Sequence, residues 1–176
     1  MAQNHAGVTG RQGVTIEADI SAAPLQGDEL RTQYGALCWR AAGDGIEVLL
    51  ITSRDTGRWV IPKGWPIKGL PPEASAAREA WEEAGVEGQA DPHCIGLYSY
   101  DKGLGVAPGP RVFVPCVVAV YPLHVEGLAQ RFPEVKQRRR KWFAPRKAAR
   151  KVAEPELRAL LAGLEDRSST TLIPGA

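Results

Sequence analysis

The chain has 176 residues, 44% hydrophobic and 24% charged, with a net charge of +2. That length suits one good-sized core and is short for two, and so small a charge gives no global electrostatic case for nucleic-acid binding. No apolar run reaches bilayer-crossing length, and the opening MAQNHAGVTGRQG lacks the apolar core of a secretory signal, so cytoplasmic residence and no membrane partner are expected.

Residues 1–30 are rich in Gly, Ala and polar side chains, and read as a flexible arm with one short strand near Val14 to Ile16. A domain then spans 31–165, and 166–176 is a loose tail. Tyr34 to Arg40 and Ile46 to Thr52 read as two strands of a hairpin, joined by the turn material Ala41 to Gly45. Arg58 to Ile61 is a short apolar strand running into Pro62-Lys63-Gly64. Cys94 to Tyr100 and the almost continuously apolar Arg111 to Tyr121 are further strands, the latter central. Pro115 inside it calls for a bulge or a local lack of pairing. Asp101 to Pro110 is too rich in Gly and Pro for regular structure, and Leu123 to Glu134 is a connection without a clear pattern. Arg138 to Phe143 enters a strand. Pro145 to Val152 and Glu154 to Leu164 are helices, the second with Leu157, Leu160, Leu161 and Leu164 on one stripe.

Cys38, Cys94 and Cys116 are odd in number, widely separated and without a CxxC pair, so all three read as small buried hydrophobes. His5, His93 and His124 have no metal-ligand spacing, which argues against zinc.

The stretch Gly64 to Val86 carries the chemistry. Pro71 and Pro72 suit a helix entry, Glu73 favours its positive end, Ala-rich residues follow, and Gly85 is a stop. Glu79, Glu82 and Glu83 stand at i, i+3 and i+4, which gathers three carboxylates on one helix face. One account is a solvated acidic face with Glu82 paired to Arg78. The other is a hard divalent cation, because Mg²⁺ prefers carboxylate oxygens, waters and substrate phosphates.

The segment closely resembles the Nudix box, a Gly followed at fixed spacing by a Glu and then by Arg-Glu-apolar-x-Glu-Glu-x-Gly-apolar. Gly64, Arg78, Glu79, Ala80, Glu82, Glu83, Gly85 and Val86 fall at the required positions, and Leu70 stands where the pattern has its first glutamate. The resemblance covers roughly 32–164. It implies an α/β fold, the Nudix α/β/α sandwich with a mixed β-sheet and a loop–helix–loop box. It also implies that Glu79, Glu82, Glu83 and the Gly64 carbonyl hold Mg²⁺ or Mn²⁺. Glu82 and Glu83 are the leading ligands and catalytic candidates, with the general base left open. Arg78 and Gly85 brace the box.

ALCWR, VLLITSR, GRWVIPKG and RRRKWF resemble the diphosphoinositol polyphosphate phosphohydrolase group, which also cleaves diadenosine polyphosphates; where that group has a glycine run, this chain has Lys63-Gly64-Trp65. Arg54, Arg58, Lys63, Lys102, Arg111 and Arg138 to Lys141 are then candidates to bind a long polyanion, with alternate residues of the basic run, Arg138 and Arg140, facing inward. A solvated, aggregation-resistant strand edge is the other account of that run. Trp65 is a candidate base contact and Trp59 a core residue. The expected activity is Mg²⁺-dependent hydrolysis of a diphosphate linkage in a phosphate-rich small molecule, a diphosphoinositol polyphosphate or a dinucleoside polyphosphate. Two rivals are removal of pyrophosphate from RNA 5′ ends, which would make nucleic acid a partner, and a catalytically silent Nudix-fold binding module, which Leu70 keeps open.

Overall fold

The structure, a computed structural model, describes residues 30–104 and 112–164. The expected arm with its strand near Val14 to Ile16, the tail and Arg111 lie outside the described residues.

Strand β1 (Arg31–Ala42) turns back through Gly43 and Asp44 into β2 (Gly45–Thr52), with Trp39 opposite Val48. Two short strands follow, β3 (Trp59–Val60) and β4 (Lys63–Gly64), then helix α1 (Pro72–Ala84) and β5 (Val86–Ala90). Strand β6 (Gly96–Leu104) pairs with the long β7 (Val112–Leu128), and β8 (Arg140–Phe143) leads into helices α2 (Pro145–Ala149) and α3 (Pro155–Ala162). Hydrogen-bonded pairing links β3 to β2, β2 to β1, β1 to β7 and β7 to β5, with β4 also on β1, β6 on β7 and β8 on β2. The β1–β7 pair is parallel and the others antiparallel, so the sheet is mixed.

Side-chain alternation along these strands builds two cores. Leu37, Trp39, Val48, Leu50, Val118 and Val120 face Leu157 and Leu161 of α3. Their neighbours Ala36, Cys38, Leu49, Ile51, Ala119 and Tyr121 face Ala76, Ala80 and Ala84 of α1. A sheet covered on both faces needs apolar residues at consecutive positions, which is why these strands read as runs rather than alternations. Helix α1 ends as its sequence dictates. Gly85 takes φ 64° and its N–H donates to the Trp81 carbonyl at 2.8 Å.

Several elements depart from expectation. Strand β7 continues to Leu128 and pairs with β5, which carries only one buried apolar residue, Val86. Pairing to a neighbour makes that strand, not propensity. Strand β6 extends through Asp101 to Leu104 because Val112 to Pro115 lie opposite. Pro115 is tolerated because the pairing of β1 with β7 starts one residue later, at Cys116. Helix α2 stops at Ala149. Cys38 and Cys116 are buried, but Cys94 is exposed, in the connection before β6. Among the described residues, no helix is long and apolar enough to cross a membrane.

Candidate active site

Strand β3 lies on the same edge of β2 as β1 does, while β4 pairs with the N-terminal part of β1. The two long strands therefore splay apart, and Ile61 to Gly64 fills the gap. Helix α1 crosses this opening on one face. Gly64 is buried directly beneath Glu79: an added Cβ would fall 2.0 Å from the Glu79 carboxyl carbon and 2.4 Å from its Oε2. One residue earlier, the Lys63 N–H donates to Glu83 Oε2 at 3.1 Å. The helix thus aims two carboxylates at the main chain of one short strand.

Glu83 is 8% exposed, and Arg138 Nη2 donates to its Oε1. Arg138 also donates from Nε to Glu134 Oε2 and from Nη1 to the Thr52 carbonyl. Burial raises the Glu83 carboxyl above its ordinary range, and the Arg138 and Lys63 charges oppose that rise. Glu79 is pushed up to about 7, first by burial, then by the anions Glu83, Glu82 and Glu134. Glu82 turns outward, where Arg78 Nε donates to its Oε1 at 2.6 Å and the guanidinium lies 5.1 Å from the Trp81 ring centre. The vacancy left by Leu70 in the pattern is therefore met within the helix at i+4. Leu70 itself is 43% exposed in the preceding loop.

The opposite face of the sheet carries cations and aromatic rings. The Lys63 ammonium lies 5.1 Å from the Tyr100 ring centre, and burial lowers its pKa to about 8 against the pull of Glu83. Trp65 is half-buried, with Lys102 Nζ 5.3 Å and the Arg31 guanidinium 5.9 Å from its ring centre. Arg58 donates to Glu154 Oε1 at 2.5 Å, and the Tyr100 hydroxyl donates to Oε1 of buried Gln33 at 2.5 Å. Arg58, Lys63 and Lys102 all act electrostatically on this patch. Lys63 thereby joins the two faces, its main chain on the carboxylates and its side chain among the cations.

Other predicted residues sit elsewhere. Arg140 reaches the C-terminal end of α1, donating to the Ala84 carbonyl and, at 3.0 Å, to the Ala129 carbonyl, with its guanidinium on Phe132. It braces the same turn as Gly85, whose added Cβ would meet Phe132 at 2.5 Å. Arg139 and Lys141 lie over Trp59 and Phe143 on the other side of β8. Arg54 is exposed and donates to Glu134 and Gln137. Trp59 packs edge-on against Phe143 beside the core, as expected of it.

As these side chains stand, no group of three or more His, Cys, Asp or Glu among the described residues is arranged to hold a metal ion. Glu82 and Glu83 are each turned to an arginine. The donor set nevertheless fits a hard cation in kind: carboxylate oxygens only, one of them pressed on a glycine main chain, in a neighbourhood whose anions repel each other.

A model of the NUDIX domain matches residues 30–164. The chain belongs to the Nudix family. It is similar to diphosphoinositol polyphosphate phosphohydrolase 3-alpha of Mus musculus, 38% identical over 59 residues, or 34% of this chain and 36% of that protein. It is 28% identical over 115 residues to the 3-alpha protein of Homo sapiens, covering 64% of this chain and 63% of the relative. In both cases the chain spans less than two thirds of the relative's length. In fold it is similar to a C. elegans Ap4A hydrolase in a binary complex, with TM-score 0.52 and 20% identity over 75% of this chain and 93% of that one.

For this Nudix domain the sequence reading missed Glu134, Tyr100, Arg31 and Gln33. Glu134 stood at the end of a connection without pattern. It reaches the carboxylates because its N–H donates to the Glu82 carbonyl at 3.0 Å. Tyr100, Arg31 and Gln33 had a weak signal, since alternation along β6 and β1 puts them on the same face as Tyr98 and Leu37.

Proposed function

We propose that this chain is a pyrophosphohydrolase that cleaves a diphosphate linkage in a phosphate-rich small molecule, with diphosphoinositol and dinucleoside polyphosphates favoured. The observation that carries this reading is the division of labour around Lys63 and Gly64. Carboxylates from α1 meet the strand on one face, and Lys63, Arg58, Lys102 and Trp65 gather on the other. A polyanion needs the cations, and hydrolysis of its anhydride needs a hard-metal site beside them. Family membership and the names of the diphosphoinositol polyphosphate relatives support the same reading.

Glu79, Glu82, Glu83 and the Gly64 carbonyl would hold Mg²⁺ or Mn²⁺, with Glu82 leaving Arg78 to do so. The ion supplies charge neutralisation on phosphate oxygens and a more acidic water. The remaining work falls to the protein. Lys63, Arg58 and Lys102 bind phosphate oxygens, and Trp65 offers a ring beside them for the organic part. Water attacks one phosphorus and loses a proton to a carboxylate of the acidic edge, Glu82 or Glu83. The bridging P–O bond breaks, and the leaving phosphate keeps the electron pair. Arg78 and Gly85 hold the helix that carries these groups, and the domain responsible is 31–165.

The test is turnover with Mg²⁺ or Mn²⁺ against a panel of diphosphoinositol polyphosphates, dinucleoside polyphosphates, nucleotide sugars and triphosphorylated RNA. Metal-dependent release of phosphate or nucleotide from the first two classes is expected. Silence on every diphosphate with both metals would sink the reading.

A further inference from the structure

Arg138 was expected among the phosphate-binding residues, yet its side chain is 8% exposed. Each nitrogen of its fork already has an acceptor: Nη2 on Glu83, Nε on Glu134 and Nη1 on the Thr52 carbonyl. Glu83 is consequently held at both oxygens, by this fork at Oε1 and by the Lys63 N–H at Oε2. Glu134 is held on both sides as well, since exposed Arg54 donates to its Oε1 at 3.2 Å.

Residues 129–139 form neither strand nor helix. Nothing in regular structure therefore aims Glu134. Its main-chain N–H is tied to the Glu82 carbonyl, and its carboxylate is tied through Arg138 to Glu83. The guanidinium is planar and directs its donors at fixed angles, so it sets the orientation of two carboxylates at once. An ammonium has the charge without that fork.

We propose that Arg138 is a positioning residue, which fixes Glu83 and Glu134 relative to each other, and that it does not bind the substrate's phosphates. Only the kinetic arm of its test rests on the hydrolase reading; the metal titration needs no turnover. Arg138→Lys keeps the charge and removes the fork, so Coulomb effects on a nearby ion stay nearly constant. Its readouts are Mn²⁺ affinity followed by the electron paramagnetic resonance of free Mn²⁺, and kcat and KM on a short and a long polyphosphate.

Arg138→Lys is expected to weaken Mn²⁺ binding by at least ~5-fold and kcat by at least ~10-fold, with KM within ~2-fold on both substrates. Unchanged Mn²⁺ affinity, or a KM that rises with phosphate-chain length while kcat holds, overturns the assignment. Glu134→Gln, at the more accessible end, provides the second measurement. It should weaken Mn²⁺ binding by at least ~3-fold, and the double variant should lose no more than Arg138→Lys alone, because both cut one connection. Additive losses, or full Mn²⁺ affinity in Glu134→Gln, also overturn it. Should the wild type hydrolyse nothing while these Mn²⁺ effects appear, the hydrolase reading fails and the positioning role stands.

Discussion

Gly64 and Glu79 occupy space that a single methyl group would fill: the missing Cβ position lies 2.0 Å from the Glu79 carboxyl carbon. The backbone there is an ordinary strand paired to Tyr34, so the requirement for glycine is one of approach and not of φ. Gly64→Ala must displace the end of a side chain, which folding tolerates and a metal site does not. We expect kcat to fall at least ~10-fold, about 1.4 kcal/mol of barrier, with the melting temperature nearly unchanged. A variant with wild-type turnover would show that Glu79 need not lie on Gly64.

Glu82→Gln and Glu83→Gln should each lower kcat at least ~100-fold, about 2.7 kcal/mol, by removing a ligand charge. Their stabilities should differ. Glu82 loses an exposed i,i+4 pair with Arg78, a matter of about 0.3–0.5 kcal/mol. Glu83 loses its charge beside enclosed Arg138, and a fall in melting temperature on the order of 5 °C is expected there alone. Thermal denaturation of the two variants, set beside their kinetics, checks both halves.

Arg58→Ala and Lys102→Ala should raise KM more for long phosphate chains than for a nucleotide sugar, and the effect should shrink as salt rises. Arg139→Ala and Lys141→Ala should leave KM within about 2-fold, because those side chains lie over Trp59 and Phe143 and not beside Lys63 and Trp65. Equal KM changes in all four variants would mean that the basic residues act only as a diffuse field.

Leu70→Glu should change activity by less than ~10-fold, or about 1.4 kcal/mol. Arg78 already has Glu82 and the face of Trp81, so a restored glutamate finds its natural partner engaged. A wild type that is inert with Mg²⁺ and Mn²⁺ while Leu70→Glu is active would instead make the native chain a binding module.

Much of the scaffold was legible because it is local. The hairpin, α1 with its glycine stop, and the apolar strand through Val118 each announce themselves within a few residues. Period-two alternation also separated Arg138 and Arg140 from Arg139 and Lys141. Strand β5 and the far half of β7 were not legible, since Val86-Glu-Gly-Gln-Ala90 becomes a strand only by lying against Leu123 to Leu128. The same dependence hid Glu134, which has no periodic neighbour to place it.

By itself the sequence determined that three carboxylates would share the edge of one helix and that Gly64 would come before them. The helical period and the glycine stop are properties of the backbone within a few residues, and they need no partner. Only the tertiary structure decided where each carboxylate looks. Glu79 lies on Gly64 because β4 is wedged between splayed strands, and Glu83 is taken by an arginine from the connection before β8. Glu82 is left to Arg78. Residues far apart in the chain make the first two contacts, and which of them meet depends on how the sheet packs, a matter that no local rule reaches.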